Sequence, residues 1–249
     1  MMQRILSVLI LTALLVSAPS TAWAQATAPA ERSDFWSLKI GSPVSAQPTD
    51  FQEFACGTDG GPPSTPIKGF AAFATCPKDA SGLHEVQFRY DDEIEFWALA
   101  MQIEPVADRF AGTNIGEFPV IISALFDDDG ILRAARAVTD DRTTLRNRRS
   151  AYTLALYIKG RFGSDRWTCK DLPLADGQTP VGTRFVKQDC TARSDDGLAL
   201  ELKARLLHRR GQTAIDPHTN QVRKGGQYES TARFEMFDPA VKMVDNEQD

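Results

Sequence analysis

Cys56-Gly-Thr-Asp-Gly-Gly-Pro-Pro-Ser-Thr65-Pro66-Ile67 runs on to Phe73 and Cys76, and the stretch has a counterpart further along the chain. The second copy is Cys169-Lys-Asp-Leu-Pro-Leu-Ala-Asp-Gly-Gln-Thr179-Pro180-Val181, running on to Phe185 and Cys190. In both, Thr-Pro-Ile/Val begins eleven residues before the closing cysteine. A Gly-Leu pair follows each, Gly82-Leu83 and Gly197-Leu198. Four cysteines allow three pairings. A duplicated unit carries its own bridge, so the repeat selects Cys56 with Cys76 and Cys169 with Cys190. Closing a loop of about 20 residues stabilises by roughly 3 kcal/mol in the chain-entropy picture. Neither pair has the Cys-x-x-Cys spacing of a zinc site, and no histidine lies close in sequence to either. A haem-attachment Cys-x-x-Cys-His is absent too, so no cofactor is expected.

The cysteines imply an oxidising compartment, and the first residues agree. Met1-Met-Gln-Arg4 is a short basic segment. The run from Ile5 to Ala18 is apolar and broken only by Ser7, Thr12 and Ser17. Ala22-Trp23-Ala24 places small residues where a signal peptidase reads. Residues 1–24 therefore read as a secretory signal peptide, cut after Ala24 or, as second choice, after Ala26. The apolar run is short of the 18 or so residues a membrane span needs. No cysteine at the cut offers a lipid anchor, and no later run is long enough to span a bilayer. A periplasmic location is expected, with secretion as the alternative.

About 225 residues then remain, enough for one large or two small domains. The charge is uneven: Gln25–Asp141 holds 8 Lys/Arg against 19 Asp/Glu, and Arg142–Asp249 holds 19 against 14. The two halves are expected to attract each other across an internal interface. The alternative is an anionic surface met by the basic half. Nucleic acid is excluded as a partner by the acidic total, the export and the lack of a recognition motif.

Periodicity predicts an α+β fold. Residues 25–34 are an Ala/Thr/Pro-rich leader. Phe35–Ile40 reads as a strand. Thr49 or Asp50 is placed to cap a short helix through Phe51, Phe54 and Cys56. Leu83–Tyr90 alternates Val86, Phe88 and Tyr90 against Glu85, Gln87 and Arg89, a half-buried strand. Glu93–Ile103 fits either element, and the aromatic pair Phe96-Trp97 tips it to strand. Val106–Phe118, with Gly112 and Gly116, is expected to cross over the sheet. Pro119–Phe126 and Ile131–Val138 are strands joined by Asp127-Asp-Asp-Gly130, a hairpin signal. Thr139-Asp-Asp141 introduces a helix over 142–162, with Leu145, Tyr152, Ala155, Leu156 and Ile158 on its apolar side and Gly163 at its end. Strands follow near Phe185, over Leu198–Leu206 and over Tyr228–Phe237, with a long loop over 209–226. Two related units, 35–141 and 142–239, account for the repeat, either as domains or within one sheet. A frayed tail over 240–249 ends the chain.

Catalytic signatures are missing. There is no Gly-x-Ser-x-Gly elbow, no His-Glu-x-x-His and no phosphate-binding glycine loop. The three histidines, His84, His208 and His218, lie in different elements, and paired cysteines leave no thiolate. The acidic turns Asp91-Asp92-Glu93, Asp127-Asp128-Asp129, Asp140-Asp141 and Asp195-Asp196 are the remaining candidates. Grouped carboxylates bind hard cations and can serve glycoside hydrolysis, but turns and caps call for Asp in any case. Trp36, Trp97 and Trp167 are expected in the core rather than in a sugar or lipid groove. The candidate binding residues are Asp127, Asp128 and Asp129, with Arg142, Arg146 and Arg149 of the basic helix for weak contact with anionic surfaces. The expected function is binding, to an envelope protein or a small ligand. A periplasmic hydrolase and a calcium-type cation binder are the alternatives. N-terminal sequencing of the chain recovered from the periplasmic fraction should begin at Gln25. A chain that keeps Met1 and stays in the cytoplasm would refute the export reading.

Overall fold

The computed structural model describes residues 33–90, 93–103, 113–142, 145–209, 213–215, 222–224 and 228–242. The signal segment, most of the leader, His218, Asp91-Asp92 and residues 243–249 of the tail lie outside them. The sheet grows from the Asp127-Asp-Asp-Gly130 turn, which joins strands Phe118–Phe126 and Leu132–Thr139 as expected. The Asp127 carboxylate accepts the N–H groups of Asp129 (3.1 Å) and Ile131 (2.9 Å), which is why Asp opens such a turn.

In chain order the strands are β1 Gln52–Cys56, β2 His84–Arg89, β3 Asn114–Ile115, β4 Phe118–Phe126, β5 Leu132–Thr139, β6 Thr168–Asp171, β7 Val186–Arg193, β8 Ala199–Leu207, β9 Thr213–Ile215, β10 Val222–Lys224 and β11 Glu229–Phe237. One sheet runs β1-β2-β4-β5-β11-β8-β7-β6, with β3 beside β4, and β9-β10 form a separate pair. Every pairing is antiparallel. Along this path the acidic half supplies the first four strands, with β3 in addition, and the basic half the last four, and the seam is β5 against β11. The helices are α1 Glu93–Ala100, α2 Leu145–Ser150 and α3 Leu154–Phe162. Strands dominate and helices cover them, so the class is α+β.

Alternation along the strands sorts residues onto two faces. Val86, Phe88, Ile122, Phe126, Ala135, Leu202 and Phe234 share one buried cluster with Leu154, Ala155 and Ile158 of α3. Phe35, Phe51 and Phe70, from irregular segments, complete it. Both disulfides form as the repeat implied, Cys56–Cys76 and Cys169–Cys190.

Several local expectations are corrected. Phe35–Ser37 is a 3-10 turn, not a strand. Asp34 accepts the Trp36 N–H and Ser37 returns the bond to the Asp34 N–H, and this capping box swings Phe35 fully into the core. The segment at Phe54–Cys56 is strand β1, not a helix, and Asp50 accepts the Ser33 N–H instead of capping. Residues 93–100 are α1, not a strand. The hydrogen-bonding edges of β2 are taken by β1 and β4, so no ladder remains beside it for a further strand. The helix over 142–162 is broken in two. Ala151–Thr153 tightens to 3-10 geometry where the Tyr152 N–H donates to the Ser230 hydroxyl (3.2 Å). Leu156, assigned to the apolar side, is 67% exposed. The loop over 209–226 contains β9 and β10, built on the β-branched Thr213, Ile215 and Val222. Of the crossing segment 106–118 only 113–118 is described. Finally, the face of β2 that carries Glu85 and Gln87 is buried, not solvated.

Candidate functional site

What buries Glu85 is the first cysteine loop. Along the second face, cross-strand registers align Gln87, Ser123, Arg136, Glu235, Glu201 and Thr191 in one row across six strands. Arg136 sits centrally in the row with its side chain only 1% exposed. Its Nε donates to Glu235 Oε1 at 2.5 Å. Nη2 donates to Asp79 Oδ2 at 3.2 Å. Nη1 lies 3.0 Å from both Asp59 Oδ1 and Glu85 Oε2. Next to it, Arg233 donates through Nη2 to Asp59 Oδ1 (2.6 Å) and Glu235 Oε1 (2.9 Å). Four carboxylates therefore meet two guanidinium groups. Burial opposes the Arg136 cation, but Glu85 and Glu235 outweigh it and raise its pKa above the ordinary arginine value.

The loop reaches this site because of its glycines. A Cβ on Gly57 would lie 2.4 Å from Glu85 Cγ, and one on Gly60 would lie 2.3 Å from Val138 Cγ2. Gly60 also has φ of 83°, a conformation side chains disfavour. The bare backbone lies flat on the sheet, which brings the Asp59 N–H to Glu85 Oε2 (2.7 Å) and the Asp59 carboxylate to both arginines. From there the chain wraps round the β1 edge. The Cys56 N–H donates to Thr65 O (2.8 Å) and the Ile67 N–H to Phe54 O (2.9 Å). It then buries Phe70 and returns to place Asp79.

Chemically, this is a filled site. An ionised carboxylate held on a guanidinium is a poor nucleophile and a poor proton donor, and the loop covers it. Among the described residues no group of three or more His, Cys, Asp or Glu side chains is arranged to hold a metal ion. Past Arg136 the row comes out from under the loop. Glu201 stands opposite Glu235, half-buried. Burial first, and the Glu235 charge second, push its carboxyl above the usual range.

The residues singled out from sequence are not brought together here. Asp127 is occupied by its turn and by Arg133 Nε (2.6 Å), and these hold its pKa low against the opposing effect of burial. Asp128, 71% exposed, pairs with Lys78 (2.7 Å) and His84 (3.2 Å). Asp129 gives its N–H to Asp127. Arg142 is tied to Asp140 at 2.7 Å, Asp195 to Arg166, and the Asp196 carboxylate accepts from Ser194. Arg149 is exposed, and Arg146 lies on α2. His84 also bonds Cys76 O (2.6 Å), and the His208 ring meets Tyr228 edge-on. Trp36 and Trp167 join the core through Phe162, with Arg161 over the Trp36 ring at 4.0 Å. Trp97 does not: it is 52% exposed.

Missed were Asp59, Asp79, Glu85, Arg136, Arg233 and Glu235. A signal for two of them exists. Arg136 interrupts Ala134-Ala135 and Ala137-Val138, and Glu235 stands between Phe234 and Met236, charges inside runs otherwise fit for a core. No family model matches the chain, and no curated protein or solved structure matches it.

Arg136→Met removes the cation and leaves its carboxylates buried, so it should lower stability by about 3–5 kcal/mol in urea melts. A loss below about 1 kcal/mol would mean the cluster is solvated. Glu201 gives an opposite, pH-dependent effect. A carboxyl whose pKa rises on folding contributes stability below its unfolded pKa and loses it as pH climbs through the folded one. Glu201→Gln should therefore match the parent near pH ~4 and exceed it in thermal stability near pH ~7. Equal melting curves across that window would contradict the raised pKa.

Proposed function

We propose that the chain is an exported binding protein of the bacterial cell envelope, which acts through the uncovered strip of its charged face and catalyses no reaction. The observation that carries this is the filling of the site, among the described residues, where four carboxylates converge. Arg136 and Arg233 occupy it and the first cysteine loop closes it. Beyond Glu201 the same face opens. Lys203 is half-buried, Thr191 and Arg193 are exposed, and all four residues of β6 are exposed. A small ligand or an extended segment of an envelope protein has room to lie on this strip. Two disulfides support export, and among the described residues no helix is long and apolar enough to cross a membrane. The periplasm is the compartment that fits both, with secretion as the alternative. Descent of the two halves from one duplicated unit is part of the same reading. Its support is the mirrored strand order, in which each cysteine stretch starts from an outer strand and each half ends at the seam.

Glu201 favours a second reading, a hydrolase with Glu201 as proton donor opposite Glu235. One experiment separates the two. A photo-crosslinking residue at Thr191 should give a discrete adduct in the native envelope, and the same residue at Asp128 should not. Ester, glycoside and peptide substrates should show no turnover. Turnover lost in a folded Glu201→Gln variant would establish the hydrolase, and adducts equal at both positions would remove the strip as a binding surface.

A further inference from the structure

The two disulfides are alike in sequence spacing but not in cover. Cys56 and Cys76 are each 2% exposed. The Cys56 carbonyl accepts the Ser64 N–H (2.9 Å) and the Ser64 hydroxyl (3.0 Å), and the His84 ring is bonded to Cys76 O. A reagent reaches that bridge only when the protein opens around it.

The second bridge is one-sided. Cys190 on β7 is 3% exposed and belongs to the main core cluster, whereas Cys169 on β6 is exposed. Among the described residues β6 is the last strand of the sheet, with β7 its one neighbour there. Cys169 and Cys190 stand directly opposite each other in this pair, with Thr168, Lys170 and Asp171 in register around them. The ladder therefore holds the strands whether or not the sulfurs are joined, and the bridge can open without unfolding. Displacement at sulfur proceeds in line with the bond being broken. For Cys169 that line runs outward, past the free edge of the sheet, and for Cys190 it runs inward through the core.

Beside Cys190 lies a cation. Lys159 of α3 is half-buried, and its Nζ donates to Gln188 Oε1 (2.5 Å). The same oxygen lies 3.3 Å from Cys190 Sγ. Gln188 Nε2 donates to Asp171 Oδ1 (2.7 Å), which fixes the amide with its oxygen towards the lysine and the sulfur. Burial pulls the Lys159 pKa down, against the opposing charge of Asp171, so the ammonium gains from a new anion formed next to it.

We infer that Cys169–Cys190 is a thiol-exchange site, where a small-molecule thiol is taken up on Cys169 and Cys190 is released beside Lys159. The incoming thiolate sulfur bonds to Cys169 Sγ as the bond to Cys190 Sγ breaks, and the bonding pair leaves on Cys190. No further oxidant or reductant is consumed. The Cys190 thiolate keeps the Lys159 ammonium as its counter-ion, and its return attack on Cys169 expels the thiol and restores the bridge. Exchange is faster when the leaving sulfur holds charge well, so Lys159 and the open edge select the same direction of attack.

Peptide mapping on the oxidised, folded chain tests this, with reduced glutathione as the probe, an acid quench and alkylation of free thiols. The expected early product carries glutathione on Cys169 and the alkyl group on Cys190, with Cys56–Cys76 opening at least about tenfold more slowly. Lys159→Met should slow adduct formation by about threefold or more, and Lys159→Arg should restore it. The mapping on the parent chain does not depend on either variant folding. An adduct on Cys190, two bridges opening at one common rate, or no adduct before the chain unfolds each overturn the inference. So does a rate unchanged in a folded Lys159→Met variant. Crosslinking at Thr191 is read without added thiol, so the binding reading stands or falls separately.

Discussion

The structure depends on a charge placed where charges are expensive. Burying a guanidinium costs several kcal/mol unless carboxylates with good geometry surround it. Arg136 sits on β5 beside the seam between the halves of the chain. Its neutralising groups come from β2 (Glu85), from β11 (Glu235), from the first cysteine loop (Asp59) and from the segment just past Cys76 (Asp79). No arrangement that omits one of these elements satisfies it equally well. The cluster therefore adds little net stability over an apolar core, yet it penalises the alternatives: a slipped register at the seam, or a loop lifted from the sheet. That is the use of buried polar groups as specification, and it explains why glycines at 57 and 60 are needed to bring a backbone so close.

The seam also shows how little a net charge reveals about contacts. The acidic half and the basic half do meet through ion pairs, as charge asymmetry suggests. Yet two of these pairs run against the bulk sign. Arg136 and Arg133 belong to the acidic half and reach Glu235 and Asp238 in the basic one. Arg233 with Asp59 follows the overall polarity, as does Arg142 with Asp140 where the two halves join. Coulomb energy at contact distance is set by the groups that touch, and distant charges of the same half are screened within about 10 Å.

Elements with strong local signals were legible in the sequence. Asp127-Asp-Asp-Gly130 forced a hairpin, alternation found β2, β8 and β11, and the repeated spacing paired the cysteines. Elements whose state depends on tertiary context were not. Residues 93–100 carry aromatic strand-formers, but the β2 edges were already occupied. Residues 142–162 have one helical pattern, but a hydroxyl from β11 takes the Tyr152 N–H and breaks it. The site was hidden for a third reason. Glu85 and Gln87 alternate as a solvent face should, and only a loop arriving from 25 or more residues away turns the face around Glu85 into an interior. A period-2 pattern reports which residues share a face, not what covers it.

The two cysteine stretches make the same point from matching sequences. Each closes its own disulfide and each begins in an outer strand of the sheet, one at either edge. What lies between cysteine and Thr-Pro then separates them. Gly57-Thr-Asp-Gly-Gly61 cannot continue a strand, so the chain turns at once onto the charged face, and its Thr65-Pro-Ile67 comes back to cover the outer side of β1. Lys170-Asp-Leu-Pro-Leu174 has no glycine, so β6 extends through Asp171 and the loop closes further along. Its Thr179 pairs with His208 at the end of β8 rather than with its own strand. One edge is thereby sealed and the other left with all its strand residues exposed. The cysteine spacing decides where the chain is cross-linked, and the glycine content between decides which edge of the sheet stays exposed.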